Sequence, residues 1–562
     1  MRRILGRLSG SMGVKTFTMT KEVMNTLPRG KYLYLRNGSV WTGDAANPKV
    51  ESLIIGDGKI IALGKTVDLD VHPFIEDAVR FELEGVSVIP GMSDCHLHVL
   101  TCAKGMQSID MSSTKSYQDV IEKLQERSSK VAPGSWIYGT MLNENNWGSS
   151  VLPNANDLDK AGIDNPVIIH RICTHASVAN SKALELSGIS EMDLPGICRD
   201  ASGNPTGILL EGAQLPVYAV LKNELYNNKE TLLNNLDVYL KHAASHGLTT
   251  LHSCSASSLG MEEELGLYQN LMEQNRLPCR IYITHDELSV PSMGGILGND
   301  FVRFEGFKIF LDGSLGSRTA AISFPYADDP DTNGLLIHQF DELVEKLCES
   351  TRREDHILVH AIGDRAIDQI LDAIEKTRSI YPEPRYPYLL NHIEIIRPDQ
   401  IERMRKLPVA CVIQPSYVPS DIDMVPTRLG DNQKYACVWK DLVNAGLMLC
   451  GSSDAPIESL NPICGIWALV NRTSYDGKRT WRPEQKLTLD EALNIYTTNP
   501  AKAHATWDWN GSITPGKAAD LVIFDRDLFA IPSMELRDAK IVKTIMNGKL
   551  SFGRIHGWEG FI

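Results

Sequence analysis

Apolar and polar positions change their rhythm twice along the chain. From Lys31 to Phe81, short alternating runs, YLYLRNGSVWTG and then SLIIGDGKIIALG, are punctuated by Asn37-Gly38 and Asp57-Gly58, dipeptides of tight hairpins, so this stretch is predicted to be β-structure. The far end repeats the style in ADLVIFDRD and KIVKTIMNGKL, with Asn547-Gly548 as the turn. Between them the pattern becomes one of apolar runs separated by helix-length stretches, as in a parallel sheet covered on both faces. The predicted strands are VSVIPG (86–91), LTTLHS (248–253), RIYITHD (280–286), FKIFLDG (307–313), HILVHAIG (356–363), YLLNHIEI (388–395), VACVIQP (409–415) and LMLCGSSD (447–454).

Eight such strands make a (β/α)8 TIM barrel, whose active sites sit at the C-terminal ends of the strands. The first two strands are separated by about 150 residues, too many for one helix and loop, so a stretch of about 105–234 is expected to be an inserted subdomain over the barrel mouth. Within it, Trp136, Trp147 and His175 are either substrate-facing or part of its aromatic core. The expected plan is therefore α/β. A barrel spans 86–510 with its insertion, a small composite β-sandwich is built from 31–85 and 511–562, and 1–30 is a disordered leader.

Composition narrows the function. The 43% hydrophobic and 22% charged fractions are those of an ordinary globular protein. A net charge of -14, with no cluster of Lys and Arg, argues against nucleic acid or an anionic membrane as partner. Eleven cysteines without a C-x2-C pair support neither a zinc ribbon nor a disulfide framework. That cysteine pattern fits a reducing, cytoplasmic compartment, and no apolar run is long enough to span a bilayer, so a soluble protein is expected. Arg2, Arg3, Arg7 and Lys15, with no acid among the first twenty residues, give the leader a faint likeness to a mitochondrial transit peptide.

The chemistry starts at VIPGMSDCHLH, where His96 and His98 follow an apolar run. Residues i and i+2 of a strand share a face about 6.5 Å apart, so the two imidazoles can aim at one cation. Further candidates occupy later strands: Lys308 in the fourth, His360 in the fifth, His392 in the sixth and Asp454 at the end of the eighth. Burying these groups on separate strands without a common ligand would cost each of them a desolvation penalty. Asp454 is either a helix N-cap ahead of Pro456 or the general base beside an activated water. Lys308 is the odd member, since an ammonium repels a metal; it either pairs with Asp312 or Asp364, or its amine captures carbon dioxide to give a carbamate able to bridge two cations.

With these motifs in place the chain resembles the amidohydrolase superfamily, and within it the amidohydrolase 3 branch that includes N-substituted formamide deformylases. VIPGMSDCHLH is similar to that family's first metal motif, and THASVANSKAL (174–184), FKIFLDGSLGSRTA (307–320), VHAIGDRAID (359–368), LNHIEI (390–395), GSSDAP and the tail GSITPGKAADLVIFDRD (511–527) follow its pattern. The resemblance implies metal ligation by His96, His98, Lys308, His360, His392 and Asp454, with Asp454 also catalytic. It implicates His175 in substrate binding, and Arg318 is a weaker candidate because GSLGSR can equally be a simple turn. One departure is Ser253, where the branch often has an acid.

The expectation is a zinc-dependent hydrolase, with one or two ions and Mn2+ or Fe2+ as alternatives, acting on a carbon–nitrogen bond of a small-molecule amide. A homodimer is the default assembly. Ester, carbamate or cyclic-amide hydrolysis stays open beside it, because hydroxide chemistry does not choose the leaving atom. A non-catalytic regulatory protein that keeps the fold is the remaining alternative; the presence of every candidate ligand counts against it.

Overall fold

The structure is a computed structural model that describes residues 17–18, 32–105, 108–147, 151–171, 176–227, 229–255, 261–286 and 297–558. His175 and nearly all of the leader lie outside the described residues. Phe17–Thr18 forms a short strand paired with Leu63 and Ala62.

Two compact units are present: 1–99 with 240–562, and 100–239. The first contains a barrel of eight parallel strands: β1 (Met92–Leu97), β2 (Leu248–Ser255), β3 (Arg280–His285), β4 (Val302–Phe310), β5 (His356–Ala361), β6 (Tyr388–His392), β7 (Val409–Ile413) and β8 (Met448–Gly451). Nearly every residue of these strands is buried, which is why the sequence reads as apolar runs rather than as alternation. Cys95, Leu358, Leu389, Ala410, Val412 and Cys450 pack together as one core cluster. Closure runs through the loop after β8: Asp454 N–H donates to His96 O at 2.8 Å, and His98 N–H donates to Ala455 O at 2.9 Å. The Asp94 carboxylate clamps the same seam, accepting from Ser453 N at 3.1 Å and Ser453 Oγ at 2.6 Å.

Helices between the strands present one apolar stripe each. In Asp364–Arg378, the buried Ile367, Ile370, Leu371 and Ile374 recur at helical spacing. In Phe340–Arg353, acids open the first turn and Arg352 and Arg353 close the last, in line with the helix dipole.

Two further sheets sandwich a shared core that includes Leu33, Leu53, Val88 and Ile523. One orders Phe17–Thr18, Lys59–Gly64, Ser52–Gly56, Tyr32–Arg36 and Ala78–Glu82; the other orders Lys549–Phe552, Ile541–Met546, Leu521–Phe524, Ser87–Pro90, Ser39–Trp41 and Lys49–Val50. Two expectations are corrected here. The segment predicted as the first barrel strand, 86–91, instead supplies Ser87–Pro90 to the second sheet, pairing with Leu521–Phe524 and Ser39–Trp41. The chain changes sheets at Gly91, where a Cβ would lie 2.3 Å from Thr249 Oγ1 and 2.9 Å from Asp520 Cβ. The apolar run is continuous across that break, so periodicity could not reveal it.

Asn37-Gly38 is likewise a corner between sheets, not a hairpin: Tyr32–Arg36 pairs with Ser52–Gly56, while Ser39–Trp41 pairs with Lys49–Val50. Asp57-Gly58 and Asn547-Gly548 do turn hairpins, and all four residues have φ between 50° and 76°.

The second unit is built on a six-stranded mixed sheet: Ile109–Asp110, Ile137–Leu142, Val167–Arg171, Ala176–Ala179, Pro205–Leu210 and Ile197–Arg199. Trp136 is buried in one of its two cores, and Trp147 packs against the other while donating Nε1–H to Thr114 O at 3.0 Å.

Candidate active site

Polar side chains gather at the C-terminal ends of β1, β4, β5, β6 and β8. His96 Nε2 and His98 Nε2 lie 3.2 and 3.3 Å from the same atom, Asp454 Oδ1. Lys308 Nζ is 3.4 Å from His96 Nε2. The His392 ring is 5.5 Å from that of His96 and 4.4 Å from that of His360, centroid to centroid. Six of the residues singled out in the sequence are therefore neighbours, although Lys308 and His96 are separated by 212 positions. Arg318 is not drawn to this cluster; its guanidinium holds Asp328, with contacts of 3.2 and 2.9 Å.

The backbone is bent to make this convergence. Asp454 has φ 55° and His392 φ 75°, left-handed values that disfavour residues with a Cβ by about 1–2 kcal/mol. Such outliers persist where the surroundings over-determine them, and here they turn two side chains inward at strand ends. Asp454 does not cap a helix: the next one, Pro462–Asn471, is capped by Asn461, whose side chain accepts from Ile463 N–H.

Hydrogen-bond partners decide which ring nitrogen faces inward. His98 Nδ1 is 3.0 Å from Cys254 O, a carbonyl that can only accept, so Nδ1 carries the proton. Gln414 donates its Nε2–H to Ser452 Oγ at 2.8 Å, which leaves its Oε1 to accept from His392 Nδ1 at 2.9 Å. His360 is reversed, donating Nε2–H to Gly313 O at 3.1 Å. With Nδ1 protonated, His98 turns Nε2 toward a carboxylate oxygen 3.3 Å away, and such a pair needs a cation, a proton or a metal ion, between its two atoms.

Electrostatics agree. Burial, and then the Lys308 ammonium, lower the His96 pKa to about 3 and that of His360 to about 4; burial with His360 and Lys308 holds His392 well below its ordinary value. These rings are neutral and ready to ligate. Burial pushes Asp454 up, but its close contacts with His96 and His98 outweigh it and hold the carboxyl well below its ordinary range. Lys308, only 2% exposed, is lowered to about 8 by burial, and no described carboxylate forms an ion pair with it. Asp312 instead accepts three backbone N–H groups, from Ala321, Ile362 and Gly363, and Asp364 binds Ser323 and Arg397.

Sequence reasoning missed Gln414, Tyr417 and Asp94. Tyr417 donates its hydroxyl to Asp454 Oδ2 at 2.8 Å, and burial beside Asp454 keeps that phenol protonated by raising its pKa well above the usual value. Gln414 had a signal, a polar residue ending the apolar run VACVI, like His392 ending YLLN. Tyr417 had none. Ser253, at the departure from the family pattern, is buried with its hydroxyl unbonded.

His96, His392 and Asp454 bring donor atoms within 4.8 Å of one another, as a divalent ion requires. The profile of the amidohydrolase family matches residues 81–552. YtcJ of Bacillus subtilis (strain 168) is 32% identical over 92% of this chain and 98% of its own. An N-substituted formamide deformylase of Arthrobacter pascens is 27% identical over 93% of this chain and 98% of its own. A metal-dependent hydrolase of Pyrococcus horikoshii OT3, solved by crystallography, superposes with a TM-score of 0.76 at 27% identity, over 90% of this chain and 99% of that one. The barrel, the histidines at its strand ends and these likenesses together place the chain in the amidohydrolase family of metal-dependent hydrolases.

Proposed function

We propose that the chain hydrolyses a carbon–nitrogen bond in a small-molecule amide, with His96, His98, His360, His392 and Asp454 holding zinc. The observation that carries this reading is the pair of Nε2 atoms, on His96 and His98, set 3.2 and 3.3 Å from Asp454 Oδ1. When bound, a divalent ion lowers the pKa of a coordinated water to about 7 and polarises the substrate carbonyl. Asp454 accepts the proton of the attacking water and returns it to the departing nitrogen. Tyr417 holds Asp454 Oδ2, so Oδ1 stays aimed at the imidazoles during that transfer. Gln414 and the carbonyls of Cys254 and Gly313 lock the rings, so no reorientation is needed when water is activated.

Lys308 supports a second ion. Its amine has a pKa of about 8, so a useful fraction is neutral and nucleophilic near neutral pH. Once the ammonium has lost a proton, attack of the neutral Nζ on carbon dioxide forms an N–C bond and releases a second proton, so that the one cation of the cluster becomes an anion with two oxygens. That change removes the charge most opposed to a second ion near His360 and His392. The formamide deformylase likeness favours N-acyl and N-formyl substrates.

The test is a screen of formamides, acylated amines, cyclic amides and esters, with metal content measured on the same protein. Turnover of an amide, lost on chelation and restored by zinc, is expected. Turnover of esters alone by fully loaded protein would overturn the amide reading.

A further inference from the structure

A second buried cluster lies deeper in the barrel. His356 opens β5 four residues before His360, roughly 13 Å along the strand. Glu305 is the unmatched residue of a bulge, where β3 pairs with Phe304 and then Gly306, and a bulge re-aims a side chain. Its Oε2 lies 3.0 Å from both His252 Nδ1 and His504 Nδ1. Its Oε1 takes the Arg303 guanidinium, with Nε at 3.1 Å and Nη2 at 2.5 Å. Burial opposes ionisation of Glu305, yet His504, Arg303 and His252 hold it well below the carboxyl range.

An ionised carboxylate only accepts, so both imidazoles donate Nδ1–H, and in the neutral form each keeps its lone pair on Nε2. Burial, with His504, lowers the His252 pKa to about 4, so that ring is neutral. Among the described residues His504 Nε2 has no hydrogen-bond partner, and neither ring nitrogen of His356 has one, although the residues are 1% and 0% exposed. An unbonded buried polar atom is costly, so three in one cluster point to a ligand that the protein itself does not supply. Cys95, His252 and His504 bring a sulfur and two ring nitrogens within 4.8 Å of one another, and Glu305, His356 and His504 form an overlapping set of the same size.

We propose that Cys95, His252 and His504 bind a thiophilic d10 metal ion, zinc or copper(I), with His356 as a further donor. Glu305 is a positioning residue, the outer carboxylate that fixes both tautomers and raises ligand basicity. A thiolate with imidazoles suits such ions. The metal–sulfur bond forms as the Cys95 S–H bond breaks and its proton is released to solvent, the ion supplying the charge that offsets the burial holding this thiol well above its ordinary pKa. Arg303 is held by Glu305 Oε1 and by the His504 carbonyl, the latter at 3.2 Å. This site is independent of whether the cluster at the strand ends is loaded.

The experiment uses the full chain. Anomalous scattering at the zinc and copper edges from crystals of the unaltered protein should place an ion among Cys95, His252 and His504, and the edge identifies the metal. Cobalt-loaded protein should show a sulfur-to-cobalt charge-transfer band in the near ultraviolet. That band should vanish in Cys95→Ser and persist both in Cys254→Ser and in a His96→Ala/His98→Ala double variant, with one ion per chain fewer in Cys95→Ser. No anomalous peak at these residues, or a band carried by Cys254, overturns the proposal; the crystal arm stands even if Cys95→Ser misfolds.

Discussion

The two histidine clusters of the barrel use the same residue types with opposite hydrogen-bond polarity. In the cluster at the strand ends, neutral acceptors, Cys254 O and Gln414 Oε1, hold the outer ring nitrogens, and the carboxylate lies inside, facing the inner ones. In the deeper cluster the carboxylate is outside, and its two oxygens meet N–H groups from Arg303, His252 and His504. A buried charge is tolerable only when paired, so Glu305 is compensated by the protein, whereas Asp454 requires a proton or a metal. The deeper arrangement satisfies its carboxylate before any ion enters, whereas the one at the strand ends leaves its carboxylate dependent on one.

The contrast can be broken most forcefully at Asp454. Asp454→Asn should lower kcat/KM by about 10²–10⁴, the usual worth of a positioned acid–base group, while the fold persists; a loss under fivefold would remove the residue from the proton path. Glu305→Gln should instead cost about 3–5 kcal/mol of stability in urea titrations, with or without chelator, because Arg303 is left without its counter-charge. If it unfolds like the unaltered chain, the two carboxylates do not differ as argued.

Gln414→Ala should weaken metal binding by about 10–100-fold, read by competition with a chromophoric chelator, since it frees the His392 ring. Metal affinity should also rise as pH climbs through about 8, because burial lowers Lys308 to about that value and its ammonium repels an ion until it loses its proton; a profile flat through that range would remove Lys308 from the site's charge balance. Tyr417→Phe is the mildest change, removing one hydrogen bond to an ionised carboxylate. A drop of about 10–100-fold in kcat is expected, with KM little altered.

The barrel was legible because strands buried on both faces write themselves as apolar runs, and His360, His392 and Asp454 stood out as polar residues at or near their ends. Boundaries were less legible. MSDCHL has little of a strand's apolar character, so β1 was hidden behind the more obvious VSVIPG, which belongs to another sheet. Placing the start of β4 at Phe307 also cut off Arg303 and Glu305, whose charges look like surface residues until a bulge and two distant imidazoles are seen. Tyr417 reaches Asp454 from a helix, Tyr417–Asp421, that no periodicity announces. Contacts set by the meeting of remote segments leave no local trace.

The seam that closes the barrel has a consequence in time. Asp94 meets Ser453 across 359 positions, and Ser87, just ahead of β1, donates to Asp527 across 440. At the usual pace of synthesis, 359 residues take roughly 20–70 s to emerge. His96 and His98 therefore leave the ribosome long before the strand end that aims Asp454 at them exists. The centre can be assembled only after translation has passed β8, which makes metal loading a late event in the life of each new chain.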